Sequence, residues 1–193
     1  MQATPKDPTQ RYREEVISVD IEASGPIPGE YSMVSLGACW LSEVSKTFYV
    51  ELQPLPGSKA DPDAMRVNGL DLSKLEAEGV EPAEAMRRFG RWVREVLPAR
   101  PVFASFGTFD WMFVRWYMVK FLTEEEGANL FGPNSLDMKS FWMGAGGTDW
   151  RGTRKGNLPS HLRSGRKHTH NALDDAIEQA ELFRRMLAKR DGV

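Results

Sequence analysis

The chain of 193 residues contains a single cysteine, Cys39, so no internal disulfide can staple it. Cys39 lies in the apolar run Met33–Leu41, where a small core residue is expected and a catalytic thiol is not. Long apolar runs are also missing. The most apolar helical stretch, Phe109–Leu122, is too short to span a bilayer and is interrupted by Arg115 and Lys120. Positive charge is not in excess: 25 Lys and Arg face 27 acids, a net charge of −2. A protein that coats nucleic acid non-specifically is usually basic, so any nucleic-acid contact is expected at a local site. Met1–Glu15 is polar and shows no signal-peptide pattern; a flexible tail over 1–15 and a cytoplasmic location are expected, with no membrane association. No repeat or linker divides the remainder, so 16–190 is expected to fold as one domain.

What is present alternates between strand and helix patterns. Val16–Glu22, rich in β-branched residues and followed by Gly25 and Pro26, reads as a buried strand. Met33–Leu41 and Lys46–Gln53 read as second and third strands joined by a hairpin through Ser42–Ser45. After a proline-rich connection, Met65–Leu70 leads into a short helix at Asp71–Glu78. Pro82–Leu97 is the clearest amphipathic helix, with Pro82 at its first position and Ala85, Met86, Phe89, Val93, Val96 and Leu97 on one face; Pro98 ends it. A short strand, Pro101–Ser105, precedes the helix beginning at Phe109. Thr108 is placed to cap that helix, whose apolar residues run almost all round and predict burial on most sides. Leu136–Met138 reads as a last strand, Gly144–Lys167 as a loop and Asn171–Lys189 as a last helix with Ala176, Ala180 and Phe183 in its stripe. A three-strand meander followed by alternating helices and strands predicts an α/β domain with a mixed sheet.

Into the first strand the sequence places Asp20 and Glu22, two apart and hence on one face. A buried carboxylate pair is costly unless a cation neutralises it, and oxygen-only donors suit Mg²⁺ or Mn²⁺. A solvated strand end is the alternative that the strand by itself leaves open. Asp110 opens the mid-chain helix, where the helix dipole also favours an acid. At the last helix, Asn171 is a good N-cap, which gives Asp174 the third helical position of a capping box. Asp174 thus has a structural role available and Asp175 does not, which favours Asp175 as the functional acid. His170 lies just before this helix. The segment 144–167 carries Arg151, Arg154, Lys155, Arg163, Arg166 and Lys167 against one acid, Asp149, and reads either as a solvated loop or as a phosphate-contacting one.

The pattern Asp20-Ile-Glu22-Ala-Ser-Gly, then Phe109-Asp110, then His170-Asn-Ala-Leu-Asp-Asp175-Ala resembles the DEDDh (DnaQ-like) 3′–5′ exonucleases of the ribonuclease H-like superfamily. The resemblance covers about Val16–Leu187, and it rests on three motifs in order, none specific alone. It implies that Asp20, Glu22, Asp110 and Asp175 hold two Mg²⁺ or Mn²⁺ ions and that His170 is the general base. Phosphodiester hydrolysis suits such a set: two metals roughly 3.5–4 Å apart stabilise the attacking and leaving oxygens. An imidazole, with a usual pKa of about 6.5, can take the water's proton near neutral pH. The resemblance also implies that Ala23, Ser24 and Gly25 lie beside the terminal nucleotide, that Met65–Leu70, with Asn68 where some relatives have histidine, closes over the 3′ end, and that Phe109 packs on a base. Asp137 resembles a recurrent family aspartate and is read as structural. The expected activity is hydrolysis at single-stranded 3′ ends, with RNA or short oligonucleotides slightly preferred over DNA. Some relatives are homodimers, and a homodimer is a further expectation. The competing reading is a non-catalytic nucleic-acid or polymerase-binding module that keeps the fold; retention of all five polar residues argues against it.

Overall fold

The computed structural model describes residues 15–97, 101–163, 165–166 and 169–190. Most of the expected tail (1–14) and the Pro98 stop lie outside the described residues. A five-stranded sheet forms the centre, in the order β3 (Thr47–Glu51), β2 (Met33–Trp40), β1 (Glu15–Ala23), β4 (Pro101–Ser105), β5 (Leu136–Asp137). The β1–β2–β3 meander is antiparallel, while β1–β4 and β4–β5 are parallel. The mixed sheet is the one expected. Glu15, expected in the tail, instead opens β1 and accepts a hydrogen bond from the Trp40 indole at 2.8 Å.

The pleat of β1 divides the molecule. Ile17, Val19 and Ile21 face a core built with α3 (Pro82–Val96) and α4 (Phe109–Phe121), where Phe89, Val93, Phe103, Phe113 and Tyr117 are fully buried. Ser18 faces the opposite way, and its hydroxyl donates to the Ala176 carbonyl of α6 (Ala172–Arg190) at 2.8 Å. By the strand's alternation, Asp20 and Glu22 share that face. A second core fills the α6 side, with Cys39, Met138, Trp142, Leu162, Phe183 and Met186. Cys39 is a core residue there, and burial pushes its thiol up to about 12.

Four local features differ from expectation. A helix, α1 (Pro62–Asn68), occupies the end of the proline-rich connection: Asp61 caps it, and Pro62 stands where no N–H is needed. The expected short helix is α2 (Leu72–Glu78), capped by Asp71. A further helix, α5 (Met138–Ala145), follows β5 directly, because Asp137 caps it through the Lys139 and Ser140 N–H groups; Asp137 is structural, as expected. Thr108 gives no side-chain cap to α4, and that helix is not buried all round, since Met112 and Val119 are exposed. It buries Phe113, Val114, Tyr117 and Met118 in the core, with Trp111, Trp116 and Phe121 half-buried against it.

Gly37 decides how closely α6 can approach. It is the β2 partner of Asp20, and a Cβ there would lie 2.2 Å from the Ala172 backbone carbon. Only a glycine lets the start of α6 settle onto the sheet beside the acids. Gly37→Ala is therefore expected to cost about 1–3 kcal/mol by overpacking, read as a fall in Tm of roughly 2–4 °C per kcal/mol for a chain of this size. An unchanged melting curve would contradict this close approach.

Candidate active site

Four acids and one imidazole are brought to one end of β1. Asp20 and Glu22 come from the strand. The parallel β1–β4 ladder stops at Ser18–Ala104, so the backbone beyond it lacks a β4 partner. Asp110, in the first turn of α4, occupies that place: its Oδ1 accepts the Ile21 N–H at 3.1 Å, which ties the helix start to the strand. Asp175 is fully buried in the first turn of α6, and its Oδ1 accepts the Thr169 N–H at 3.2 Å.

The Asn171 cap forms, with Oδ1 accepting from the Leu173 and Asp174 N–H groups at 3.1 and 3.2 Å. Asp174 is exposed and accepts from the Thr169 hydroxyl, so the cap leaves Asp175 to face inward. His170 has φ of 56°, the left-handed region that a non-glycine residue adopts at some cost. Ligand atoms of Glu22, His170 and Asp175 all lie within 4.8 Å of one another.

Burial in this cluster raises the proton affinity of Asp20, Glu22 and Asp110. Burial pushes the Glu22 carboxyl up to about 8, helped by the charges of Asp175 and Asp110. Burial raises Asp110 to about 7, although the Ile21 N–H, its own backbone N–H and the Lys155 ammonium pull the other way. Asp20 is raised well above the carboxylate range, by burial first and then by Asp110, Glu22 and Asp175. A cluster of this kind ionises fully only when a cation enters it. Carboxylates with one imidazole fit a hard divalent ion such as Mg²⁺ or Mn²⁺.

The expected substrate-binding residues divide. A groove of 420 Å³ leaves the cluster at Glu22 and is lined by Ala23, Gly25, Asp61, Asp63, Ala64, Val67 and the exposed ring of Phe109, among others. Gly25 is required beneath it, since a Cβ would lie 2.0 Å from the Tyr31 ring. Ser24 and Asn68 do not line this groove. The buried Ser24 hydroxyl donates to the Lys59 carbonyl and accepts the Ser32 N–H, both at 2.9 Å. Asn68 donates to the Ala23 carbonyl at 3.3 Å and accepts the Leu70 N–H at 3.0 Å, which straps α1 to the end of β1.

Two contributors were not apparent in the sequence. Gln179 donates its side-chain amide to Asp20 Oδ1 and accepts the Phe106 N–H at 3.1 Å, joining α6, β1 and the β4–α4 loop. It stands one helical turn after Asp175, a spacing that could have marked it as sharing that face. Lys155 pairs with Glu178 of α6, and its ammonium lies 5.4 Å from the Phe106 ring centroid. Nothing in the local sequence separates it from the other cations of its loop.

Carboxylates from a central strand, a helix start beside it and a C-terminal helix, with an imidazole at their edge, form a donor set suited to a hard divalent ion, on a ribonuclease H-like fold. The comparisons narrow the class. The chain is 42% identical over 175 residues to the 3′-5′ DNA exonuclease Cap18 of Escherichia coli, covering 89% of this chain and 91% of that protein. It resembles the nuclease domain of 3′hExo, a DEDDh family member solved bound to rAMP, with a TM-score of 0.74 at 13% identity over 91% and 92% of the two chains. It also resembles S. pombe Pop2p in its Mg²⁺- and Mn²⁺-bound form, with a TM-score of 0.64 at 16% identity over 93% and 84%. No family model matches. The chain belongs to the DEDDh 3′–5′ exonuclease family and is an exonuclease. Among the described residues no helix is long and apolar enough to cross a membrane.

Proposed function

We propose that this exonuclease removes nucleotides from single-stranded 3′ ends, DNA in preference to RNA, with Asp20, Glu22, Asp110 and Asp175 holding two divalent ions and His170 as general base. The observation that carries the reading is the convergence of Glu22, His170 and Asp175 within 4.8 Å, beside two more acids whose proton affinity is raised. The choice of DNA follows the relative at 42% identity, whose name specifies DNA, in place of the slight preference for RNA drawn from the sequence.

When bound, the ions activate the attacking water and neutralise charge on the leaving 3′-oxygen. His170, at the exposed edge of the cluster, accepts the proton that water loses as its oxygen attacks phosphorus and the bond to the 3′-oxygen breaks. Asp110 and Gln179 keep the strand and both helices in register, so that the acids meet the phosphate in one arrangement. The groove supports action at an end. Val67, Ala64 and Phe109 offer an apolar wall to the last base, and beside them Asp61, which caps α1, lines the groove without a cation partner among the described residues, whereas Asp63 pairs with Arg66.

The test is competition between 5′-labelled single-stranded DNA and RNA of one sequence, with Mn²⁺ present. DNA is expected to shorten at least about tenfold faster in kcat/KM. Faster loss of RNA would reverse the sugar assignment.

A further inference from the structure

The loop between α5 and α6 carries charge that the catalytic cluster leaves unused. Its backbone is anchored. Asp149 accepts the Gly152 N–H at 2.8 Å, and the buried Thr153 donates its hydroxyl to the Trp150 carbonyl at 2.7 Å. Leu158 and Leu162 are sunk into the second core. Two of the loop's cations serve the structure: Arg163 holds the Leu158 and Gly156 carbonyls, and Arg166 pairs with Glu181.

Others face water. Arg151 and Arg154 are exposed, and neither pairs with a carboxylate among the described residues. Beside them the Trp150 indole is 52% exposed, with the Lys139 ammonium of α5 4.3 Å from its ring centroid. A rigid loop that shows water a large ring among cations suits bases that stack and phosphates that pair. Lys155, one residue beyond Arg154, carries the loop inward to Glu178 and to Phe106, whose N–H is held by the same Gln179 that holds Asp20. The terminal-nucleotide groove, in contrast, begins at Glu22 and is lined by Asp61 and by Asp63, the latter paired with Arg66. This polarity gives a bound strand a direction, with its unphosphorylated end at the acids and its backbone at the loop.

We infer that the 147–155 loop is the binding platform for the single strand upstream of the scissile bond, with Trp150 stacking a base and Arg151 and Arg154 holding flanking phosphates. The inference rests on the exonuclease reading above, which places the 3′ end in the groove. The test is fluorescence anisotropy of a 5′-labelled, twelve-nucleotide oligo-dT with the full chain in EDTA, over a salt series. Trp150→Ala is expected to weaken binding by about 5- to 150-fold. Arg151→Glu/Arg154→Glu, confined to exposed side chains, is expected to weaken it and to lower the slope of log K against log salt by about 0.7 per lost contact. Affinity and slope unchanged in both variants, or no binding by the wild type, would overturn the inference. Digestion of the same strand in Mn²⁺ is followed in parallel. Digestion with loop-independent binding overturns this inference alone, while loop-dependent binding without digestion overturns the exonuclease reading alone.

Discussion

Asp20→Asn is expected to make the metal-free protein more stable and the enzyme at least about 10³-fold slower, a loss of about 4 kcal/mol in transition-state stabilisation. Both effects come from one charge. Asp20 stands among Asp110, Glu22 and Asp175, and without a cation its burial and their charges oppose its ionisation. Asparagine removes that charge and keeps an oxygen for the Gln179 amide, so the fold loses no hydrogen bond. The same change removes a carboxylate that would hold metal. Melting in EDTA near about pH 8, set beside turnover in Mn²⁺, reads both effects. A less stable variant would show that Asp20 is held by favourable contacts, and retained turnover would remove it from the catalytic set. Asp175→Asn should be equally inactive. Asp174→Ala, at an exposed carboxylate outside the cluster, should keep most activity.

The second large effect is a stability that depends on pH and metal together. Folded-state values of about 8 for Glu22 and about 7 for Asp110 exceed their ordinary values of 4.5 and 3.8. Between these limits the folded chain binds more protons than the unfolded one, so stability falls as pH rises. The contribution is intact below the unfolded values and is fully lost above about pH 8. In EDTA, Tm should therefore decline between about pH 5 and about pH 8.5. Mn²⁺ at a hundred times its Kd should add about 2.7 kcal/mol, roughly 5–10 °C for a chain of this size. At one fixed Mn²⁺ concentration the metal's effect should be larger at the higher pH, because the acids give up protons to bind it. A flat pH profile in EDTA with no response to Mn²⁺ would mean that the acids are not crowded as described.

The parts of this site legible in the sequence are those with local periodicity. The alternation along β1 puts Asp20 and Glu22 on one face, and the Asn171 cap assigns Asp174 to the helix end and Asp175 to the interior. Contacts between distant segments have no such local mark. Gln179 lies 159 residues from the Asp20 it holds, and Gly37 matters only because α6 rests on it. Ser24 and Asn68 illustrate the converse: their position near the groove was legible, but their polar groups satisfy the backbone of the loops around them. The α5 helix was hidden because Asp137 ends a strand and caps a helix at once, and the capping residue was read with the strand alone. The loop cations read as a single basic run. Among the described residues, folding sorts them by partner: Arg163 and Arg166 hold the loop, Lys155 pairs half-buried with Glu178, and Arg151 and Arg154 face water.

The most direct test of the central claim is a gel assay with a 5′-labelled single strand, comparing wild type and His170→Ala in Mn²⁺ and in EDTA. The expected result is a ladder that shortens from the 3′ end in Mn²⁺, vanishes in EDTA and slows by about 10²–10⁴-fold in the variant. Cleavage that is indifferent to EDTA, that starts inside the strand, or that proceeds unchanged without His170 would contradict the assignment of this cluster as a metal-dependent 3′–5′ exonuclease site.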